Sequence, residues 1–374
     1  MAEMSIEIHR VASRGDLLKF IKFPFELYKD NKFWCPPLIF DDVNTLTKKN
    51  PALEYCEVEY WLAYREGKIV GRVAGIINPK ANQRWSENLV RFGWIDFIDE
   101  IEVSALLIRT VEDWGKSKGM EGIHGPLGFT DMDPEGMLVE GFEEVSSLAA
   151  IYNYPYYPEH MVQFGFIKAA DWLQFDIKVP SEIPEKIVRS ARIVEEKYHL
   201  HVLNVTRAKD LRPYAKKMFR MLNEAFDDLY GYAAINEKQI DLYIKQYFGF
   251  IRPEFVSIVL DEKEDVVAFG VTIPDLAFAL RKANGRIFPF GFYHLMKALR
   301  KNDTIHMYLV GVRPDYQGKG ALALVYRQLT EAYIRNGIVR ATTHAQLEDN
   351  HKAISIWKNY EGRTYIRRRC WIKQ

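Results

Sequence analysis

The sequence predicts an α+β protein made of two tandem copies of one layered unit, each a central mixed β-sheet flanked by helices. Three observations carry this. The order hairpin, strand, helix ending in glycine, strand, helix, strand occurs twice. A segment with two prolines, "VPSEIPEK" at 179–186, lies between the two runs. The 374 residues, 48% hydrophobic, exceed what one core of ordinary size serves. The boundary falls at that segment, giving units 1–180 and 181–374.

In the first half, "MSIEIHRVAS" alternates like a strand, and "DLLKFIKFPFELYKD" reads as a helix interrupted by Pro24. "VEYWLAYREGKIVGRVAGIIN" is β-rich on both sides of "REGK", a hairpin signal, and "FGWIDFID" is a further strand. Val103, Leu106, Leu107, Val111 and Trp114 recur at helical spacing, with Gly119 as the C-terminal stop. "MEGIHGPLGF" runs from strand into loop, and "MVQFGFIKAADWLQFDIKV" ends the half.

The second half repeats the order. "YHLHVLNVTRA" is a strand, "LRPYAKKMFRMLNEAFDDL" a helix, and "FVSIVLDEKEDVVAFGVTI" a hairpin. A basic and aromatic insertion, about residues 275–302, precedes the strand "HMYLVGV". Leu322, Val325, Tyr326, Leu329 and Tyr333 form one stripe of a helix closed by Gly337. "IVRATTHAQ" is a strand, "NHKAISIWKNY" a short helix and "TYIRRRCWIK" the last strand.

Fifty-one basic against 50 acidic residues leave a net charge of +1, so no global field favours nucleic acid. No apolar run reaches the roughly 18 residues that span a bilayer, and "MAEMSIEIHR" has no apolar signal core. Cys35, Cys56 and Cys370 are odd in number and far apart, which argues against a disulfide framework or a zinc site. The expectation is a cytoplasmic protein without a metal, monomer or homodimer.

"VGVRPDYQGKGALALVYRQL" places Gly318, Lys319 and Gly320 between a strand and a helix. Such a turn leaves the first helical N–H groups unpaired at the positive end of the helix dipole, an anion site. It is neither a P-loop nor a dinucleotide fingerprint. Gln317 and Gly320, after "V-x-V-x-P-x-Y", resemble the coenzyme-A signature Q/R-x-x-G-x-G/A of the GNAT acyltransferases. Asn350 and Ala353 in "NHKAISIW" resemble that family's Asn-x-x-Ala helix. The tandem layout also resembles N-myristoyltransferases and cell-wall aminoacyl transferases.

The resemblance implies that acetyl-coenzyme A or another acyl-coenzyme A is a substrate, held by Val310, Val312, Gln317, Gly318, Lys319, Gly320, Ala321, Leu322 and Asn350. It implies acyl transfer to a small-molecule or peptide amine by direct attack. His306, on the strand before the turn, is either the candidate base or a half-buried strand histidine with a structural hydrogen bond. Two positions depart from the pattern: the last Gly/Ala is Leu322, and the place of the phenol that protonates the leaving thiolate is Trp357. An indole cannot do this, and Tyr360, one helical turn on, is the candidate acid. The departures leave open a non-catalytic binding protein on a degenerate fold. Aminoacyl or long-chain acyl transfer is the other alternative.

In "FTDMDPEGMLVEGFEE", Asp131, Asp133 and Glu135 either hold a substrate ammonium or make turn contacts. In "YNYPYYPEH", Tyr154 and Tyr157 either wall a pocket between the halves or pack a loop. Arg367, Arg368 and Arg369 alternate faces on a strand, so a solvated edge is expected. Each half is expected to keep its own sheet, with the strand before the second-half helix splayed from the next. The first half carries Asp96, Asp99, Glu100 and Glu102 at its equivalent turn and is expected to bind no coenzyme A.

Overall fold

The computed structural model describes residues 5–147 and 150–374. The first half contains β1 (Glu7–Arg10), α1 (Arg14–Leu27), α2 (Ile39–Thr45), β2 (Glu57–Arg65), β3 (Lys68–Ile77) and α3 (Pro79–Trp85). It continues with β4 (Leu89–Phe97), α4 (Ile101–Ser117), β5 (Gly122–Gly125), β6 (Met137–Glu140), α5 (Tyr156–Gln163) and β7 (Ile167–Lys178). The second half begins with α6 (Glu185–Tyr198), β8 (His201–Val202), α7 (Ala208–Phe226), α8 (Glu237–Tyr247), β9 (Val256–Leu260) and β10 (Val266–Pro274). The insertion forms α9 (Ala277–Ala283) and α10 (Gly291–Arg300). Then follow β11 (Thr304–Val312), α11 (Leu322–Arg335), β12 (Arg340–Thr343), β13 (Gln346–Leu347), α12 (His351–Ile354) and β14 (Gly362–Lys373).

The mixed-sheet unit is present twice. Each copy has an antiparallel hairpin, β2–β3 or β9–β10, and one parallel pair, β4–β5 or β11–β12. The expectation of two separate sheets is overturned. The order β1-β2-β3-β4-β5-β14-β7-β12-β11-β10-β9-β8 is one continuous sheet. The last strand of the chain lies between β5 and β7 of the first half, and β7 also pairs with β12. Strand β14 is therefore central, which also overturns the solvated-edge reading of its arginines. Arg368 is 1% exposed and donates Nε to Gln174 Oε1 at 3.0 Å and Nη1 to the Ile151 carbonyl. Burial brings its pKa down to about 10. Arg367 and Arg369 both reach the buried Asp171 carboxylate.

Helix α1 runs unbroken through Pro24, contrary to the interrupted helix expected. A proline there removes the N–H that Phe20 C=O would accept. Buried Arg72, from β3, supplies the donor instead, Nη1 to Phe20 O at 2.9 Å. Its Nε donates to Asp96 Oδ2 at 2.7 Å, so one guanidinium satisfies a helix carbonyl and a buried carboxylate.

Candidate active site

The site begins with a gap between β11 and β12. Their pairing covers only Thr304–Met307, closed by His344 N–H to Met307 O at 2.8 Å. On its other side β11 pairs with β10 along its length, with a register shift that leaves Tyr308 as the extra residue. Arg313 N–H donates to Val267 O at 2.8 Å. By alternation, Val312 and Val310 turn their N–H and C=O groups to the opposite edge, into the gap. The splay expected from the sequence is present.

The Gly-containing turn follows. Gly318 (φ 75°) and Gly320 (φ 86°) are left-handed, which selects glycine at both. A Cβ on Gly318 would meet no atom within 4 Å, so its outer side is open, while one on Gly320 would come 3.1 Å from Val194 Cγ2. Among the described residues, the N–H groups of Gly318, Gly320, Ala321 and Leu322 donate to no protein acceptor. Free N–H groups at the head of the 14-residue α11 fit a diphosphate. Lys319 Nζ stands 5.0 Å from the Tyr316 ring centroid and 5.5 Å from that of Tyr198. The Leu322 side chain is partly buried against the core, which frees only its N–H. Asn350 caps α12, its Oδ1 accepting from Ala353 N–H at 3.2 Å.

Trp357 is a core residue, donating Nε1 to Gln346 Oε1 at 3.0 Å and packing on Tyr326. Tyr360 lies against Trp357, with its buried hydroxyl unpaired among the described residues. Burial raises its pKa, so the phenol holds its proton at neutral pH.

Beside the gap, between α7, α8 and strands β9–β11, lies a slot walled by apolar side chains. Its walls include Ala215, Met218 and Leu222 of α7, Tyr243 and Tyr247 of α8, and Phe269 and Val271 of β10. It reaches Tyr308 and Leu309 at the bulge, and Met132 from the first half. No contiguous stretch encodes this slot, and sequence reasoning missed it.

The first half closes the site with its 127–135 loop. Thr130 Oγ1 lies 2.9 Å from Tyr243 Oη. Asp133 Oδ2 accepts from Phe129 N–H at 2.9 Å and Thr130 N–H at 3.1 Å, the turn contacts anticipated for it. It is also buried, and desolvation pushes its pKa up to about 6 against the pull of those N–H groups. Burial pushes Asp131 up to about 7 and raises Glu135 strongly, while Arg91 opposes both. Asp41 and Asp42 of α2, not singled out in the sequence, join this interior. Burial raises them to about 6 and 7, and Asp41 Oδ1 is unpaired among the described residues. Carboxylates raised toward neutrality are suited to taking a proton from an amine.

His306 Nδ1 lies 3.0 Å from Thr342 Oγ1, and its buried Nε2 is unpaired among the described residues. Burial, then His344, lowers its pKa to about 3. His344 lies beside Tyr308, the rings tilted with centroids 5.6 Å apart, and burial lowers its pKa to about 4. Both imidazoles are neutral, which weakens His306 as a base at pH 7. Among the described residues, no group of three His, Cys, Asp or Glu could hold a metal ion.

Tyr154 and Tyr157 are not brought to this site. They occupy the matching place in the first half. Strand β4 leaves β5 after Arg91, with a bulge where Trp94 is left-handed. Tyr157 stacks on Phe97 at 4.0 Å, and its Oη accepts Phe97 N–H at 3.0 Å. Tyr156 Oη donates to Phe97 O at 2.7 Å. Tyr28 Oη donates to Asp96 Oδ1 at 2.8 Å. The backbone edge that is open at Val310–Val312 is filled here by side chains of α5.

Residues 216–360 match the acetyltransferase (GNAT) family. The chain is 27% identical over 372 residues to protein YghO of Escherichia coli, covering 97% of this chain and 94% of that one. It is 27% identical over 316 residues to a bacterial ceramide synthase of Caulobacter vibrioides, covering 82% and 80%. Its fold is similar to that of a tandem GNAT protein from the clavulanic acid biosynthesis pathway, with a TM-score of 0.56, 11% identity, and 99% and 98% of the two chains covered. The chain thus has the fold of a tandem GNAT protein, with the family match falling on the half that carries the open glycine turn and the gap beside it.

Proposed function

We propose that the protein transfers a long acyl chain from acyl-coenzyme A to the primary amine of a long-chain amino alcohol. The observation that carries this is the apolar slot, which ends at Tyr308 and Leu309 beside the open edge of β11. A short acyl group needs no such space, and each methylene placed in it contributes about 0.8 kcal/mol. The ceramide synthase relative supports the reading, since a ceramide is the N-acyl amide of such an amine.

Coenzyme A supplies the activated thioester. The N–H groups of Gly318, Gly320, Ala321 and Leu322 hold its diphosphate, with Lys319 as a secondary charge. Val310 and Val312 bond the pantetheine amides across the gap, and Asn350 borders it from the α12 side. Backbone N–H at the Tyr308–Leu309 bulge polarises the thioester carbonyl. Asp131 and Asp133 receive the ammonium, and the ionised fraction of one of them takes its proton. The freed nitrogen lone pair forms the C–N bond, the C–S bond breaks and the sulfur takes a proton from Tyr360, while the second proton lost by nitrogen passes to the Tyr360 phenolate and restores it. The second unit, 181–374, binds the acyl donor, and the first, 1–180, shapes the acceptor side.

The test is thiol release with a series of acyl-coenzyme A donors and a long-chain amino alcohol. kcat/KM should rise with chain length. Acetyl-coenzyme A as the best donor would refute the reading, as would binding of coenzyme A without turnover of any donor.

A further inference from the structure

The α9–α10 insertion buries one face and exposes the other. Ala277, Leu280, Leu295 and Leu299 pack with Ile273, Tyr308 and, from the first half, Cys35 and Leu38. The connecting loop is tied down by Ile39 N–H to Gly285 O at 3.0 Å, and the end of α10 by Arg252 Nη1 to Leu299 O at 2.8 Å. The outward face is therefore held firmly in place. It carries Phe288 (77% exposed), Phe290 (75%), Phe292 (53%) and Tyr293 (65%) within six residues, with Phe278 (64%) on α9. These five are most of the large hydrophobic residues that are more than half exposed among the described residues. Single exposed aromatics need no explanation, but four within six residues, on an anchored loop and the first turn of α10, do.

Charge says what covers them. Between 275 and 302 the chain has six basic residues, Arg281, Lys282, Arg286, Lys297, Arg300 and Lys301, and one acid, Asp275, in a protein whose net charge is +1. Asp275 is half-buried and turned to the α9 N-terminus, accepting Ala277 N–H at 2.8 Å. The exposed face is thus aromatic and cationic with no carboxylate of its own. Aromatic rings settle at the boundary between headgroups and acyl chains, while Lys and Arg reach up to anionic headgroups. No described helix is long and apolar enough to cross a membrane, so this face would lie on a bilayer rather than span it.

We infer that the α9–α10 insertion docks the protein on an anionic lipid bilayer, with Phe288, Phe290, Phe292 and Tyr293 entering the interface. Because its buried face packs on Tyr308, docking would set the substrate slot close to the lipid surface. The inference stands on the insertion alone, so vesicle binding without acyl transfer would sink only the proposed activity, and acyl transfer without vesicle binding only this inference.

Flotation of the full chain with vesicles of equimolar phosphatidylcholine and phosphatidylglycerol tests it. The protein should float with these and weakly, if at all, with phosphatidylcholine alone. Arg281→Gln/Lys282→Gln/Arg286→Gln should lower the anionic-vesicle partition by about 100-fold. Phe288→Ser/Phe290→Ser/Phe292→Ser should lower it by about tenfold or more with the melting temperature kept. Phe290→Trp gives a readout free of folding concerns, because the emission of its indole should shift to the blue and be quenched by brominated lipid. Absence of flotation, unchanged flotation of the serine variant, or no quenching of the Phe290→Trp variant would overturn the inference. So would a concentration-dependent dimer in sedimentation that the serine variant dissolves, since the face would then be covered by a second copy.

Discussion

Ala215→Phe examines the slot with the least collateral damage. Ala215 lines the slot from α7 and is only half-buried, so a larger side chain there fills the slot rather than crushing a sealed core. Phenylalanine is tolerated in helices at a cost of well under about 1 kcal/mol. The ring takes the room of about four methylenes, each of which contributes about 0.8 kcal/mol on burial, or about 3 kcal/mol together. That loss corresponds to roughly 200-fold in kcat/KM for a long donor. A donor short enough to end before the ring should be unaffected, so the variant's preference should move to shorter chains. The assay is thiol release for wild type and variant across an acyl-coenzyme A series, with melting temperatures as the control on folding. Equal loss for short and long donors would mean general damage, and an unchanged preference would mean that the acyl chain lies elsewhere. Either result would refute the assignment of the slot.

Three further outcomes are expected. Gly320→Val should abolish coenzyme A binding in titration calorimetry, because the left-handed backbone is denied and its Cβ starts 3.1 Å from Val194, whereas Lys319→Ala should weaken it only about fivefold; equal affinities would mean that the turn binds nothing. Asp133→Asn should remove a pH-dependent destabilisation: the folded pKa of about 6 lies above the unfolded value, so folding stability from this group is full below about pH 4 and is lost as pH rises to about 7. The variant should therefore gain up to about 3 kcal/mol at pH 8 and nothing at pH 4 in denaturant titrations, and a loss at pH 8 would show that the carboxylate is stabilising. Arg72→Ala should cost about 3 to 5 kcal/mol, since it leaves buried Asp96 without its charge partner and Phe20 O without its donor; a change below about 1 kcal/mol would contradict that role.

What the sequence revealed was local. The anion turn is six consecutive residues, Gln317–Leu322, whose glycines and following helical stripe can be read from their neighbours. Gly337 and Gly119, both left-handed after helices, were legible for the same reason. What it hid depends on distant partners. Pro24 reads as a break until Arg72 arrives from β3 to take the freed carbonyl. The three arginines of β14 read as an edge because nothing local shows that Gly362–Ile372 pairs with β7. The slot draws on Met132, α7, α8 and three strands, and no single periodicity marks its wall. Tyr157 read as either a pocket wall or loop packing, because nothing local shows that its hydroxyl meets the Phe97 N–H.

The most direct measurement is a crystal structure with a thioether analogue of a long-chain acyl-coenzyme A, which the site can bind but not cleave. The account predicts its diphosphate on the N–H groups of Gly318, Gly320, Ala321 and Leu322, its pantetheine along Val310 and Val312, and its chain between α7 and α8 past Leu309. A chain lying outside that slot, or a nucleotide bound at the head of α4 in the first half, would contradict it.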